Sequence, residues 1–444
     1  MQNKYYLLNI SVFGIKCIKE EVRLDFYKKT VNKNFNPERY RVKAIYGENG
    51  SGKSALITAV KIFKKLVLTP NYLSESKTQD FLNEIINKNG KTFRIGMEFF
   101  VGEPNDIKIY QYIVQLGKGL NGLYEIQYEC LKRKNGNYTN SKYQSVFECQ
   151  NGELIFIDSS EQEAARIQKK TINLLSTHSF LYLYVMNVDT SYLLGDKRDI
   201  ELFLSVIPCM TLSALIKVYL EEEDQHELFF IQKRLKESGS EGQEFVKAFL
   251  EDKDSINLSL GVNEKFVEKE HFNKYQKKVE QLTQFIKLFK PDLVSIDIDA
   301  KDDGERYVCD LNLNYGDYVI NKEFESTGIK KLIRLFDCFT AASLGGIVFV
   351  DEMDSNLNDV YLCKLIEYFM YYGKGQLCFT THNLDPMSVL KENKNSIDFL
   401  SSDNHLIPWT SRGNATPENC YRNGMIEDLP FNIEASDFVG IFGE

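Results

Sequence analysis

Lys53 and Ser54 close the run Gly47-Glu48-Asn49-Gly50-Ser51-Gly52-Lys53-Ser54, which fits G-x-x-x-x-G-K-S/T at every fixed position. Glycines at these places let the backbone wrap a polyphosphate, with successive N–H groups and a helix N-terminus aimed at the anion. The spacing gives Lys53 reach to the β- and γ-phosphates and offers the Ser54 hydroxyl to magnesium. The context agrees. Val42-Lys43-Ala44-Ile45-Tyr46 reads as a short strand, and the run from Ala55 to Phe63 has apolar residues at helical spacing. A chance glycine-rich turn is the alternative, and the strand, loop and helix together weigh against it.

Three further groups supply what a phosphate loop needs opposite it. Gly346-Ile347-Val348-Phe349-Val350 is an apolar run ending in Asp351-Glu352. A buried strand of this kind can deliver Asp351 to a magnesium shell, and Glu352 can then orient and deprotonate an attacking water. Gln376-Leu377-Cys378-Phe379-Thr380-Thr381-His382 follows at the distance of one strand–helix–strand unit, which sets His382 beside a γ-phosphate. Ser326 and Gly328 open a helix expected to run to about Ala342, and such an N-terminus can bind an anion. Simple capping by Ser326 or Thr327 is the competing reading.

These groups need a scaffold. Residues 5–26 read as two strands about a turn near Gly14, and residues 93–157 as an antiparallel meander punctuated by Gly117-Lys118-Gly119, Asn121-Gly122, Asn135-Gly136-Asn137 and Asn151-Gly152. Residues 161–290 read as helices interrupted at Gly239 and Gly261, with a heptad pattern sustained over too short a stretch for a long coiled coil. Within them Phe272, Tyr275, Val279, Leu282, Ile286 and Phe289 make one helix face. Residues 293–313 read as a hairpin whose turn, Asp302-Asp303-Gly304-Glu305, is better explained as solvated than as a calcium loop.

Composition bounds the partners. With 54 basic and 63 acidic residues the net charge is −9, so no global basic field draws the chain onto nucleic acid. The nine cysteines form no CxxC pair, which favours reduced thiols over disulfides or structural zinc. His178, His226, His271 and His405 lack a chemical context like that of His382. No signal peptide or membrane span is legible, and the expectation is a cytoplasmic protein with no membrane partner.

The order of phosphate loop, long insertion, Ser-x-Gly at a helix start, Asp-Glu and a histidine after a strand resembles the ABC-type ATPases, specifically the SMC, RecF and OLD group found among phage-defence systems. The opening strand Leu8-Asn9-Ile10-Ser11-Val12-Phe13-Gly14-Ile15-Lys16 and the stretch from Trp409 through Tyr421-Arg422-Asn423-Gly424-Met425-Ile426 to Phe438 resemble it too. The resemblance implies an α/β fold: a P-loop ABC-type ATPase head with an antiparallel β layer and a compact helical insertion. It divides the chain into an N-terminal ATPase lobe (1–160), a helical insertion (161–290) and a C-terminal ATPase lobe (291–444).

Carried over by position, Gly47, Glu48, Asn49, Gly50, Ser51, Gly52, Lys53, Ser54 and the following Ala55 become the Walker A region that holds ATP. Ser54 and Asp351 would hold Mg2+, and Glu352, His382 and Lys53 become the catalytic residues. Ser326 and Gly328 belong to a signature motif that contacts the nucleotide of a second head, and Asp354 to Asn358 form the D-loop. Thr327 and Ile329 depart from the signature's glycine and glutamine, and Asn358 from the histidine or aspartate common in relatives. Gln79 is the candidate for the Q-loop. The resemblance implies a homodimer or a higher even-numbered homo-oligomer. It further implies an ATPase that is the sensor or scaffold of an antiphage system acting on a separate nuclease or other effector, as in the Septu and Toprim-partnered ATPases. A RecF-like repair ATPase that binds DNA is the alternative, and a non-hydrolysing module is disfavoured by Glu352.

Overall fold

The computed structural model describes residues 4–103, 106–188, 196–220, 260, 265–304, 306–393, 395–410, 415–426 and 441. The readings placed on His226, Gly239, Gly261 and Phe438 lie outside them.

Two sheets make the body. The first is antiparallel and runs β2 (Val22–Asp25), β1 (Lys4–Phe13), β4 (Thr92–Glu103), β5 (Asp106–Lys118), β6 (Tyr124–Asn135), β7 (Gln144–Gln150), β8 (Glu153–Ile157). The glycine and asparagine turns named above separate its last strands. The turn after β1 needs Gly14, whose φ is +78° and where a Cβ would meet the Thr92 carbonyl oxygen at 1.8 Å.

The second sheet carries the chemistry. Its order is β17 (Leu406–Pro408), β16 (Ile397–Leu400), β3 (Val42–Gly47), β15 (Gln376–Thr380), β14 (Ile347–Val350), β9 (Ile216–Tyr219). All neighbours are parallel except the β16–β17 pair. A parallel sheet covered on both faces reads as continuous apolar runs, and β14 does so. Ile347 and Phe349 enter the core shared with the antiparallel sheet, while Val348 and Val350 enter the opposite one.

Helices fill both sides. The helix α1 (Lys53–Leu68) lies between the sheets, touching β3, β4 and β9, with α2 (Ser76–Ile85), α3 (Glu161–Thr171), α4 (Phe180–Asn187) and α5 (Lys197–Leu215) beyond it. Gln376 welds the sheets. Its side chain accepts from Leu7 N at 2.6 Å and donates to Leu7 O at 3.0 Å, where β1 shifts register against β4.

On the far face of the parallel sheet lie α7 (Thr327–Leu344), α8 (Asp359–Tyr371), α9 (Pro386–Leu390) and α10 (Pro417–Arg422). A third, antiparallel sheet, β10 (Lys265–Glu268), β12 (Arg306–Asn314), β11 (Ser295–Asp302), with β13 (Val319–Asn321) on β12, packs with α6 (Phe272–Phe289) against α7. The six-residue face expected on α6 is real: Tyr275, Val279, Leu282 and Ile286 are buried, with Phe272 and Phe289 packed at its edge. At the end of β11 Asp302 pairs with Lys269 at 2.8 Å, and in the turn that follows Asp303 pairs with Arg306 at 3.1 Å, so these acids are spent on neighbouring bases.

Among the described residues of 161–290, read above as a compact helical insertion, the elements join several layers. The helices α3, α4 and α5 complete the core between the two large sheets, β9 is a strand of the parallel sheet, and α6 belongs to the third unit. Leu215 and Ile216 mark the change from helix to strand with no turn residue between them. From Pro208 to Tyr219 every residue but Leu215 and Lys217 is buried, and so continuous a run carries no period that would reveal the switch.

Candidate nucleotide-binding and hydrolysis site

The site forms at the C-terminal ends of β3, β14 and β15, the edge where open α/β sheets bind ligands. Gly47, the last residue of β3, has φ +155°, and a Cβ there would lie 2.4 Å from the Leu400 carbonyl oxygen. Gly50 (φ +83°) sits at the loop tip in open space, with Asn49 exposed beside it. Gly52 (φ +108°) starts α1 without a side-chain cap. The first N–H groups of α1 are therefore left for an anion. Ser51 Oγ is buried with no hydrogen-bond partner, and Ala55 is buried behind it. An uncapped helix start and an orphaned hydroxyl in one glycine-rich cradle fit a nucleotide polyphosphate.

Lys53 is 6 % exposed, and its ammonium donates to the carbonyl oxygens of Gly47 and Glu48, each at 2.8 Å. Burial pushes its pKa down, against the pull of Asp351, Glu352, Asp354 and Glu48. The loop thus holds its own cation in place, ready to exchange carbonyl partners for phosphate oxygens.

Opposite, Asp351 and Glu352 follow β14. Thr380, at the end of β15, joins them: its hydroxyl donates to Asp351 Oδ1 at 2.5 Å and accepts Glu352 N at 2.8 Å. Its carbonyl accepts Met353 N at 3.0 Å. Glu352 is exposed and has φ +47°, a left-handed conformation that residues with a Cβ hold only when their surroundings impose it. Asp351 has one carboxylate oxygen committed to Thr380. Its other oxygen and the Ser54 hydroxyl are hard oxygen donors suited to Mg2+.

His382 follows Thr381 and is partly open to solvent, with its N–H 3.4 Å from Asp354 Oδ2. Partial burial, then the Lys53 charge, lower its pKa from the ordinary 6.5, with Asp354, Glu352 and Asp351 opposing. Lys53, Asp351, Glu352 and His382 therefore share one electrostatic neighbourhood.

Ser326 and Gly328 lie elsewhere, at the start of α7, with Ser326 exposed and Gly328 half-buried. Ser326 Oγ accepts Ile329 N at 3.4 Å, a helix cap. Thr327 Oγ1 is 3.4 Å from Asn356 Oδ1, and a Cβ on Gly328 would stand 2.8 Å from the Asn356 carbonyl oxygen. The signature-like turn thus rests on the loop after Glu352. Asn358 caps α8, accepting Val360 N at 3.0 Å. Gln79 is not at the site. It is buried on α2, where its amide binds Leu73 O, Tyr124 O and Tyr124 N at 2.7–2.9 Å. These bonds tie α2 to the preceding turn at Leu73 and to β6. Sequence reasoning gave no role to Thr380 or to Lys331, whose ammonium reaches the Glu352 carbonyl. For Thr380 a signal existed, a hydroxyl residue ending a buried strand.

A phosphate loop on a parallel sheet, facing an acidic strand end, defines a P-loop nucleoside triphosphatase. A family model described as "AAA domain, putative AbiEii toxin, Type IV TA system" matches residues 43–385. The chain belongs to that family of AAA-type ATPases. No curated protein matches it. Among solved structures, one described as the recombination mediator protein RecF-ATPrS in the RecFOR pathway is similar at 15% identity and a TM-score of 0.39, covering 92% of this chain and 99% of that chain. No helix of the described residues is long and apolar enough to cross a membrane.

Proposed function

We propose that this chain is an ABC-type ATP-hydrolysing switch: two copies close on ATP, reopen on hydrolysis, and thereby control a separate effector in antiphage defence. The observation that carries the reading is the split between two halves of a site. The phosphate loop, Asp351, Glu352 and His382 converge at one sheet edge, while exposed Ser326 and half-buried Gly328 lie on a helix N-terminus that rests on the adjoining loop. A helix start so placed is available to the nucleotide of a second copy.

In this reading the loop N–H groups and Lys53 bind the β- and γ-phosphates. Ser54 and Asp351 hold Mg2+, which would screen charge on the phosphate oxygens. Glu352 accepts the proton of the attacking water, and His382 hydrogen-bonds the γ-phosphate. Ser326 and Gly328 of the second copy close over that phosphate, and binding energy becomes head closure. The family's description names a putative AbiEii toxin and a type IV toxin–antitoxin system, which supports a role in a system of that kind. A nuclease is the effector proposed, and the cytoplasm the location.

Sedimentation velocity tests closure. The parental chain should gain a dimer or higher even-numbered species with ATP and Mg2+. Lys53→Ala should lose both nucleotide binding and assembly, because the charge that compensates the phosphates is gone. Ser326→Arg should keep binding and lose assembly. Assembly by Ser326→Arg at parental ATP concentration would sink the two-copy site. For the defence role, phage plating on cells carrying this gene and its neighbours should show protection that Lys53→Ala abolishes; protection by Lys53→Ala would overturn the switch.

A further inference from the structure

Lys331 is 3 % exposed, yet its side chain carries an ammonium into the loop after β14. It lies on α7 about one and a half turns beyond Ser326. Its Nζ donates to the Glu352 carbonyl oxygen at 2.5 Å and to Ser355 Oγ, with the Tyr219 ring centroid 5.8 Å away. A buried ammonium is tolerated only when acceptors meet its N–H groups. Here two of those acceptors are the backbone of the candidate general base and a hydroxyl three residues later.

The Glu352 peptide needs such a hold because its backbone is left-handed. Thr380 grips its N–H from β15, and Lys331 grips its carbonyl from α7. The first turn of α7 touches the same loop again where Thr327 and Gly328 meet Asn356. A helix moves as a unit, so a shift of its N-terminus is delivered through Lys331 to the peptide that aims the Glu352 carboxylate.

We propose that Lys331 is a positioning residue that couples the placement of the Ser326–Gly328 turn to the orientation of Glu352. Hydrolysis by one copy is thereby sensitive to whether its own α7 is engaged. The inference rests on Glu352 being the general base.

Lys331→Met keeps the aliphatic stem and removes the ammonium. In the nucleotide-free protein, amide hydrogen exchange across residues 352–358 should accelerate on the order of tenfold. ATP affinity should stay within about threefold while single-turnover hydrolysis falls roughly 10- to 100-fold. Lys331→Arg should restore part of the rate. In a Glu352→Gln background Lys331→Met should cause no further loss, since a residue acting through Glu352 has nothing left to position. Parental exchange and hydrolysis in Lys331→Met would overturn the inference, as would a full additional loss in the Glu352→Gln background. If circular dichroism shows Lys331→Met unfolded, Ser355→Ala removes one acceptor without stranding a charge. It should move exchange and hydrolysis the same way by less, and no change would overturn the coupling. Glu352→Gln tells the two failures apart. Parental hydrolysis there defeats the base and this inference with it, whereas slow Glu352→Gln beside parental Lys331→Met defeats the coupling alone.

Discussion

The Thr380 hydroxyl is hydrogen-bonded to Asp351 Oδ1 at 2.5 Å, across the gap between β15 and the end of β14. The same oxygen accepts the Glu352 N–H, so one side chain fixes the candidate magnesium ligand and the left-handed peptide of the candidate base. Its methyl group and shape are kept by valine, but its hydrogen bonds are not. Thr380→Val should therefore fold and bind ATP with little change, leave Glu352 N–H unsatisfied, and slow hydrolysis by about tenfold or more. Equilibrium binding and single-turnover rates on the same preparation separate the two effects, and a parental rate would show that β15 does not set the geometry of the acids.

How much of this was legible in the sequence follows from the reach of each interaction. The phosphate loop is a local device, eight consecutive residues whose types answer to one anion, so its pattern is legible in the sequence alone. The acidic strand end and His382 are legible as candidates because a buried strand makes a short apolar run with a polar residue at its exit. Thr380 and Lys331 act on Glu352 from 28 and 21 residues away, through contacts that only the packed sheet and helix create. Nothing in their spacing announces that. The same holds for Gln79, which carries the right functional group but spends it on Leu73 and Tyr124. The strand Ile216–Tyr219 is hidden for the opposite reason: from Pro208 to Tyr219 every residue but Leu215 and Lys217 is buried, and a nearly continuous buried run across helix and strand shows no period.

Beneath the phosphate loop, Lys43 of β3 and Asp398 of β16 form an ion pair of 2.8 Å with both side chains 1% exposed. Burial pushes the Asp398 pKa up while Lys43 pulls it down, and Asp398 Oδ1 has no hydrogen-bond partner. Lys43→Met strands that carboxyl and should destabilise the fold by about 3–5 kcal/mol at neutral pH. Without Lys43 the folded-state pKa rises further above the unfolded value. The variant then gains stability as pH falls, because the folded carboxyl takes up its proton first, and loses it as pH rises. Denaturant titrations at neutral and mildly acidic pH should show the deficit shrinking on acidification. Lys43→Met with Asp398→Leu should recover most of it, and a deficit independent of pH would exclude Asp398 as its source.

For His382 the sign is opposite. Its folded-state pKa lies below the ordinary 6.5 through partial burial and then the Lys53 charge. On acidification below 6.5 the unfolded chain protonates first, so this ring's contribution to stability is present at neutral pH and is lost as pH falls. An NMR titration of the imidazole in the nucleotide-free protein should place its midpoint below that of free histidine. Lys53→Ala should move the midpoint upward while burial keeps part of the shift. An unmoved midpoint in Lys53→Ala would mean that the two groups are not coupled and that His382 does not face the phosphate loop.

The prediction that bears most directly on the switch concerns Glu352. Glu352→Gln keeps the size of the side chain, its left-handed backbone and the holds from Thr380 and Lys331, and removes only the ability to accept a proton. Lys53, Ser54 and Asp351 are untouched, so ATP binding should survive at parental affinity. The chemical step should slow by a factor on the order of 10² or more. If closure is driven by bound ATP and undone by hydrolysis, the variant should accumulate as the closed assembly, visible as a stable ATP-dependent species in sedimentation where the parental chain shows a transient one. In a defence system the trapped state should either lock the effector or fire it without phage, according to which state closure favours. Hydrolysis at the parental rate would show that another group activates the water. Trapped ATP with unaltered protection would show that binding alone, and not turnover, carries the signal.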